Sequence, residues 1–425
     1  MDSISGLPDE LLQRILSLVP TKVAVSTSIL SKRWKFLWMW LPILDFIDRD
    51  DSLLLLKDFI DKNLPLHKAP VIESLRLSLY EMSREKNIKP EDIRLWVEIA
   101  VSRHLRELDV SYSSDKKENM VPNSLFTCKS LVVLKLRFLT LMDVPTSTAC
   151  LPSLKTLLLE LVVYEDDEPF QALLSICPVL EDLEVWLGEF ESVQEFTINV
   201  PSLRKLFLHV SYYCSSLERY EIDTPCLEYL QLADWSDSAC LVKNMPKLKK
   251  AHVDVLSFAV KNVIGSVTSV KHLTVCSQNI LGQDVYGDGI VFDQLQHLEL
   301  CICQDDSSNL LAQFLKVSPN LRELGISEID SHADLKTNDM GFWNQPSSIP
   351  ECLLSSLEIL NWLGYFGRPQ DRDIAVYILK NARRLSTATF WANTTEHDVP
   401  NLEMIKELTL SCRASSTCEL VFIED

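Results

Sequence analysis

Several kinds of chemistry have no starting point in this sequence. Its 12 cysteines are irregularly spaced and include no CxxC pair; Cys301 and Cys303 are separated by one residue. A disulfide framework is therefore not expected. No HExxH occurs, and "GQDVYGDG" (282–289) lacks the Lys-Ser/Thr ending of a phosphate loop, so it reads as a surface turn. The start has no basic segment followed by an apolar one, so no secretory signal is expected. The run Leu53 to Leu56 is too short to span a bilayer and is flanked by acids. Cationic charge is also scarce. Lys and Arg number 41 against 60 Asp and Glu, a net −19, which argues against nucleic acid. Such a balance suits a basic partner surface or serves solubility alone. A protein with reduced thiols in the cytoplasm or nucleus is the reading that remains, with the sequon at Asn393 unused.

What is present is length and repetition. The 425 residues, 47 % of them hydrophobic, exceed the roughly 250–300 at which single cores stop growing. "HLRELDV" at 104 returns as "SLVVLKL" at 130, "SLKTLLL" at 153, "VLEDLEV" at 179 and "SLRKLFL" at 202. It continues as "CLEYLQL" at 226, "KLKKAHV" at 247, "SVKHLTV" at 269, "QLQHLEL" at 294 and "NLRELGI" at 320. Each holds LxxLxL, often after a proline, at intervals of about 21 to 26 residues, within the 20–29 of leucine-rich repeats. LxLx alternates with period two, giving one short strand per repeat with leucines inward. A single strand cannot bury that face, so stacked neighbours form a continuous core. "PFQALLSICPVL" (169–180) and "SSNLLAQFLKVSPNL" (307–321) read as helices of the convex side.

The outward residues of these strands line the concave face of such a solenoid. Trp186, Phe207 and Tyr229 fall in three successive repeats, an aromatic stripe suited to gripping a partner; equally, loops or the C-terminal segment cover it. His252, His272 and His297 project from three consecutive strands, with His209 two repeats earlier. His272 and His297 share a column and are expected to approach each other, though zinc normally takes four placed ligands, so exposed recognition histidines are the preferred reading and no metal is expected. "EDDE" (165–168) reads as a solvated loop. Lys135, Arg137, Lys205 and Lys250 are too dispersed for the basic pocket a small anionic cofactor needs, so none is expected.

Before the repeats, "GLPDELLQRILSLVP" sets Leu7, Leu11, Leu12, Ile15, Leu16 and Val19 on one side of a helix. Pro8 suits its first turn and Pro20 is expected to stop it. "KVAVSTSILSKRWKFLW" adds Val23, Val25, Ile29, Leu30 and Trp34. By pattern alone this block also serves as an N-terminal cap. As a whole, "ISGLPDELLQRILSLVPTKVAVSTSILSKRWKFLWMWLPILDF" (4–46) resembles a plant F-box, with its LPDxLL, ILSxxPTK, TSxLSKRW and closing LxF elements. Val19 and Val23-Ala24 depart from the usual residues without removing an anchor position. The resemblance implies a trihelical domain docking on a Skp-family adaptor and, through it, on a cullin–RING ubiquitin ligase. Carried over by motif, Leu7 and Pro8 open the docking helix, while Ile15, Leu16, Val25, Leu30 and Trp34 line the interface or the small core behind it.

After the repeats, an interval of about 36 residues precedes Leu357. Trp343, "PECL" (350–353), "SLE" (356–358), "YILKNA" (377–382) and "SSTCELVF" (415–422) resemble the FBD domain that follows leucine-rich repeats in plant F-box proteins. The fold expected is α/β: an F-box over 1–48, a leucine-rich-repeat horseshoe over 49–340 and a closing FBD domain over 341–425. The function expected is a non-catalytic substrate receptor of a Skp–cullin–F-box ligase. A repeat scaffold without ligase recruitment is the alternative, and an enzyme acting through the concave histidines is the remote one.

Overall fold

The computed structural model describes residues 6–47, 53–79, 88–112, 118–188, 192–256, 262–278, 289–301, 307–327, 343–392 and 401–424. The Asn393 sequon and nearly all of 282–289 lie outside the described residues. The chain forms two units, residues 1–203 with 209–219 and residues 204–208 with 220–425.

The first unit opens with helix α1 (Asp9–Leu16), preceded by Pro8 and carrying Asp9 and Glu10 in its first turn, where acids complement the helix dipole. Pro20 does not stop this helix, a correction to the sequence expectation. α1 ends at Leu16, where the Ser17 hydroxyl donates back to the Gln13 carbonyl at 2.9 Å. Pro20 instead caps α2 (Thr21–Ser26), a position where its fixed φ and missing N–H cost nothing. "WKFLWMW" winds as a 3-10 helix, Trp34–Trp40. Leu12, Leu16, Ala24, Trp34, Leu37, Trp38 and Leu41 close into one core, with Leu7, Val19, Val25 and Met39 packed on it.

This block runs directly into the repeats. Strand Ile43–Ile47 pairs in parallel with Ser74–Ser78, and the Asp45 N–H donates to buried Thr21 Oγ1 at 2.8 Å. Parallel strands Glu107–Ser111, Val133–Arg137, Thr156–Glu160 and Asp182–Leu187 follow in chain order. Leu75, Leu77, Leu108, Val110, Leu134, Leu136, Leu157, Leu159, Leu183 and Val185 are buried behind them, each such side chain contributing about 1.5–3 kcal/mol. The serine preceding several of the repeat leucines has a physical reason. Ser130 Oγ donates to the Leu105 carbonyl at 2.8 Å and Ser202 Oγ to that of Leu180 at 2.7 Å, tying each turn to the one before. The expected convex helix forms as Glu168–Ser175, burying Phe170, Leu173 and Leu174.

A buried histidine fastens the F-box-like block to the first repeats. His67 Nε2 lies 2.8 Å from the Leu41 carbonyl, and Arg103 Nη1 lies 3.0 Å from Nδ1 and 2.8 Å from the His67 carbonyl. Arg103 can only donate, so the ring is neutral with its proton on Nε2. Burial pushes its pKa from 6.5 down to about 4. Between those values the unfolded chain binds the extra proton, so this contribution is fully present above pH 6.5 and falls as pH drops through the window, by about 3 kcal/mol in all. Denaturation curves across this range should show that acid loss in the wild type and a flatter profile in His67→Gln. Parallel profiles would rule it out.

In the second unit, parallel strands Tyr229–Asp234, Lys250–Leu256, His272–Gln278, His297–Cys301, Glu323–Ser327, Ile359–Tyr365, Thr387–Ala392 and Glu419–Glu424 pair in that order. The irregular interval before Leu357 is thus an insertion between adjacent strands, and the FBD-like segment lengthens the sheet as well as closing it. Helix Ser307–Val317 occupies the second segment read as convex-side. Trp362, Phe390 and Phe422 continue the inner face, with ring centroids 6.4 and 5.8 Å apart. The Arg322 and Glu358 carbonyls each accept backbone N–H groups of the next strand. At the equivalent point of the last strand, Arg413 Nη1 donates to the Cys418 carbonyl at 3.1 Å instead. Ser269 and Ser356 repeat the serine tie, to Leu248 at 3.4 Å and to Leu321 at 2.9 Å.

Candidate protein-docking surfaces

The residues assigned to adaptor binding divide between interior and surface. Leu16 and Trp34 belong to the core, and Leu7 and Val25 pack half-buried against it. Of the two places left open for them, the interface or the small core behind it, Leu16 and Trp34 take the core: helical period sets Leu12 and Leu16 one turn apart on the inner face. Pro8, Ile15 and Leu30 stand on the surface. They are joined by apolar side chains the sequence reading did not select for docking. Leu11 and Leu18 extend Ile15 at helical spacing, and Leu18, Ile29 and Leu30 are exposed by 85, 88 and 63 %. Val23, Phe36 and Trp40 are exposed as well. The available signal was surplus: this block holds more apolar residues than a core of its size takes. Leu7, Leu11, Ile15 and Leu18 form one wall of an apolar pocket of about 680 Å³, with Pro42, Ile43 and Glu73 opposite. The "KRWK" cluster rims this domain, Arg33 pairing with Asp9 at 2.6 Å and also donating to the Leu7 carbonyl, and Lys35 lying over Phe36.

On the outward strand face of the first unit, Arg137 bonds Asp109 and, at 2.9 Å, Glu160. Trp186, 40 % exposed, stacks on His209 with centroids 4.6 Å apart, its Nε1–H donating to Glu184 at 2.8 Å. In the second unit Phe207 and Tyr229 pack at 5.1 Å, and Lys250 Nζ lies 6.0 Å from the Tyr229 ring. The sequence thus brings the aromatics together as two pairs, one in each unit. Register pairs Tyr229 with Lys250, Lys250 with His272, His272 with His297 and His297 with Glu323. The His272 and His297 rings approach to 5.5 Å, and His297 Nδ1 is 2.9 Å from Glu323. His252 lies in the neighbouring column, between Gln231 and Thr274. Burial holds both His252 and His272 below the usual histidine range; His297 and Lys250 push His272 further down.

Comparison with known proteins agrees with this arrangement. Family models match for the F-box domain over residues 4–46, for the LRR repeats of FBD-associated F-box protein At5g56370 over 93–326, and for FBD over 345–390. The chain is 57 % identical to FBD-associated F-box protein At5g38590 of Arabidopsis thaliana, covering 96 % of this chain and 98 % of that one. It is 53 % identical to FBD-associated F-box protein At4g10400 of the same plant, over 99 % and 100 %. The chain belongs to the FBD-associated F-box proteins. F-box proteins are generally substrate receptors of Skp–cullin–F-box ligases, and an F-box implies in general the binding of a Skp-family adaptor.

The remaining motifs of this FBD-associated F-box protein are structural. Asp167 of "EDDE" accepts the backbone N–H groups of Gln194 and Glu195 at 2.6 and 3.2 Å, so it orders a loop. Among the described residues no group of three or more His, Cys, Asp or Glu is placed to hold a metal, the described cysteines are free, and no helix is long and apolar enough to cross a membrane.

Proposed function

We propose that this chain is the substrate-recognition subunit of a Skp–cullin–F-box ubiquitin ligase acting in the cytoplasm or nucleus, without catalytic residues or cofactor of its own. In this reading residues 1–48 dock the Skp-family adaptor, 49–340 present the recognition face and 341–425 extend and close it. Its action is proximity: tethering raises the effective concentration of target lysines at the transferring enzyme. The observation that carries this reading is the exposed apolar row outside the F-box core, with Leu18, Ile29 and Leu30 more than half exposed. So much apolar surface on about forty residues marks an interaction site.

The test follows from exposure. Ile15 and Leu30 contribute little to the core, so Ile15→Asp/Leu30→Asp is expected to melt within a few degrees of wild type. It should recover at least tenfold less adaptor in co-purification. Equal recovery would remove the docking assignment, and no recovery even by wild type would favour the scaffold without ligase recruitment.

A further inference from the structure

The outward face of the strands from His297–Cys301 to Glu419–Glu424 carries no lysine or arginine among the described residues. It carries three carboxylates, Glu299, Glu323 and Glu419. Glu299 and Glu323 flank Gly325, which is in register with Glu299 and two residues beyond Glu323. With no side chain there, Glu299 leans across the glycine. A Cβ at position 325 would lie 3.4 Å from Glu299 Cγ, and Glu299 Oε1 accepts from Ser327 Oγ at 2.9 Å. Glu323 accepts from Asn361 Nδ2 at 3.0 Å and meets His297 Nδ1 at 2.9 Å. A neutral donor leaves a carboxylate's charge in place, and an imidazole cancels it only when protonated. Among the described residues neither glutamate pairs with a lysine or arginine, so this face is negative.

Beside the carboxylates the same face turns apolar. Leu363, Trp391 and Ile423 are register partners on three adjacent strands. Leu363 is 46 % and Ile423 37 % exposed, with Ile359 and Val421 half-buried nearby. A sheet face left to water alternates to polar residues, whereas Ile359–Tyr365 and Glu419–Glu424 are largely apolar on both faces, the pattern of strands covered on both sides. We propose that this face docks an extended basic segment of a partner protein. An arginine or lysine of that segment meets Glu299 and Glu323, and a large apolar side chain covers Leu363, Trp391 and Ile423. Charge complementarity selects this occupant: a second copy of the same face, or an acidic segment, sets carboxylate against carboxylate. The net −19 of the whole chain steers basic partners in the same sense. Strands Glu323–Ser327 and Thr387–Ala392 lie two spacings apart, about 10 Å or about three residues of extended chain. Recognition thus calls for a cation and a large apolar residue about three positions apart. This inference rests on the reading of the outward strand face as the recognition surface and names its partner chemistry.

The test uses the full chain, co-expressed with a Skp-family adaptor, and fluorescein-labelled peptide pools of about ten residues. The pools are degenerate except at two fixed positions three residues apart. Fluorescence anisotropy should show the Arg/Leu pool binding roughly tenfold tighter than pools with Gln for Arg or Ser for Leu. Glu299→Gln and Glu323→Gln, which keep an acceptor for Ser327 and Asn361, should each reduce the preference for Arg, and Leu363→Ser the preference for Leu. Glu323→Lys should move the preference to a Glu/Leu pool. The comparison of pools on the wild type stands whether or not a variant folds. Equal binding of the Arg and Gln pools would overturn the proposal. So would an Arg preference that both Glu→Gln variants leave intact, since that is attraction to the charge of the whole chain. A dimer that Leu363→Ser dissociates would make a second copy the occupant and overturn it as well. Adaptor co-purification from the same preparations separates the two readings. Peptide preference without adaptor defeats ligase recruitment alone, and adaptor binding without peptide preference defeats this site alone.

Discussion

Asp234→Ala is expected to destabilise the fold by about 3 kcal/mol or more, since three donors lose their acceptor and each orphaned buried group costs about 1–3 kcal/mol. Asp234 Oδ1 accepts the Ser236 N–H at 2.9 Å and the Ser236 hydroxyl at 2.7 Å; Oδ2 accepts the Tyr220 hydroxyl at 2.6 Å, with Ser238 Oγ at 3.5 Å. Tyr220, Asp234, Ser236 and Ser238 are all buried, so water does not replace the lost partner. Asp234→Asn keeps one acceptor oxygen for Ser236 and turns an amide towards Tyr220, so it should lose less. Burial raises the Asp234 carboxyl above its ordinary 3.8, against the lowering effect of its donors. The folded chain then holds the proton to higher pH than the unfolded one, so this group's contribution declines as pH rises from 3.8 through the folded value, and is flat above it. Urea denaturation at neutral pH checks the magnitude. A loss below about 1 kcal/mol for Asp234→Ala would mean that the network relaxes around the cavity.

The repeat face was legible because its signal is local. Alternation within six residues names the inward leucines, and the strand register then follows column by column, including the His272–His297 approach. Two strands escaped notice although they obey the same phase: Leu41, Leu44 and Phe46, then Ile72, Leu75 and Leu77. The first coincides with the closing LxF of the F-box, and the second keeps the proline two residues ahead, Pro70, but opens on Ile72 instead of leucine. What local pattern does not carry is partnership over distance. His67 and Arg103 are 36 residues apart, and the side chains that donate to Glu299 and Glu323, Ser327 and Asn361, come from later strands. The division of the first helix into core and docking sides was unreadable for a different reason. Leu11, Leu12, Ile15 and Leu16 are all apolar, so the hydrophobic pattern spans both faces, and only the packing of Trp34 and Trp38 decides which is inside.

That division separates two ways of losing the adaptor. Trp34→Ala is expected to cost about 3–5 kcal/mol, the usual range for emptying a buried aromatic. Trp34 is 7 % exposed and meets Leu12, Leu16, Leu37 and Trp38 in a core of seven buried residues, and a domain this small has little stability in reserve. The loss should therefore fall on residues 6–47 while the strands of the second unit, with their own continuous core, stay folded. Amide hydrogen exchange reads this directly. Protection in α1 and α2 should collapse in Trp34→Ala, and that of Leu230, Leu273 and Leu298 should not. Adaptor capture is lost in this variant by unfolding of the domain that presents Ile15, Leu18 and Leu30. In Ile15→Asp/Leu30→Asp it is lost with α1 still protected, because only the outer face has changed. If Trp34→Ala kept full protection in α1 and still failed to capture adaptor, Trp34 would contact the partner directly, and the boundary drawn here between core and interface would move inward by one layer.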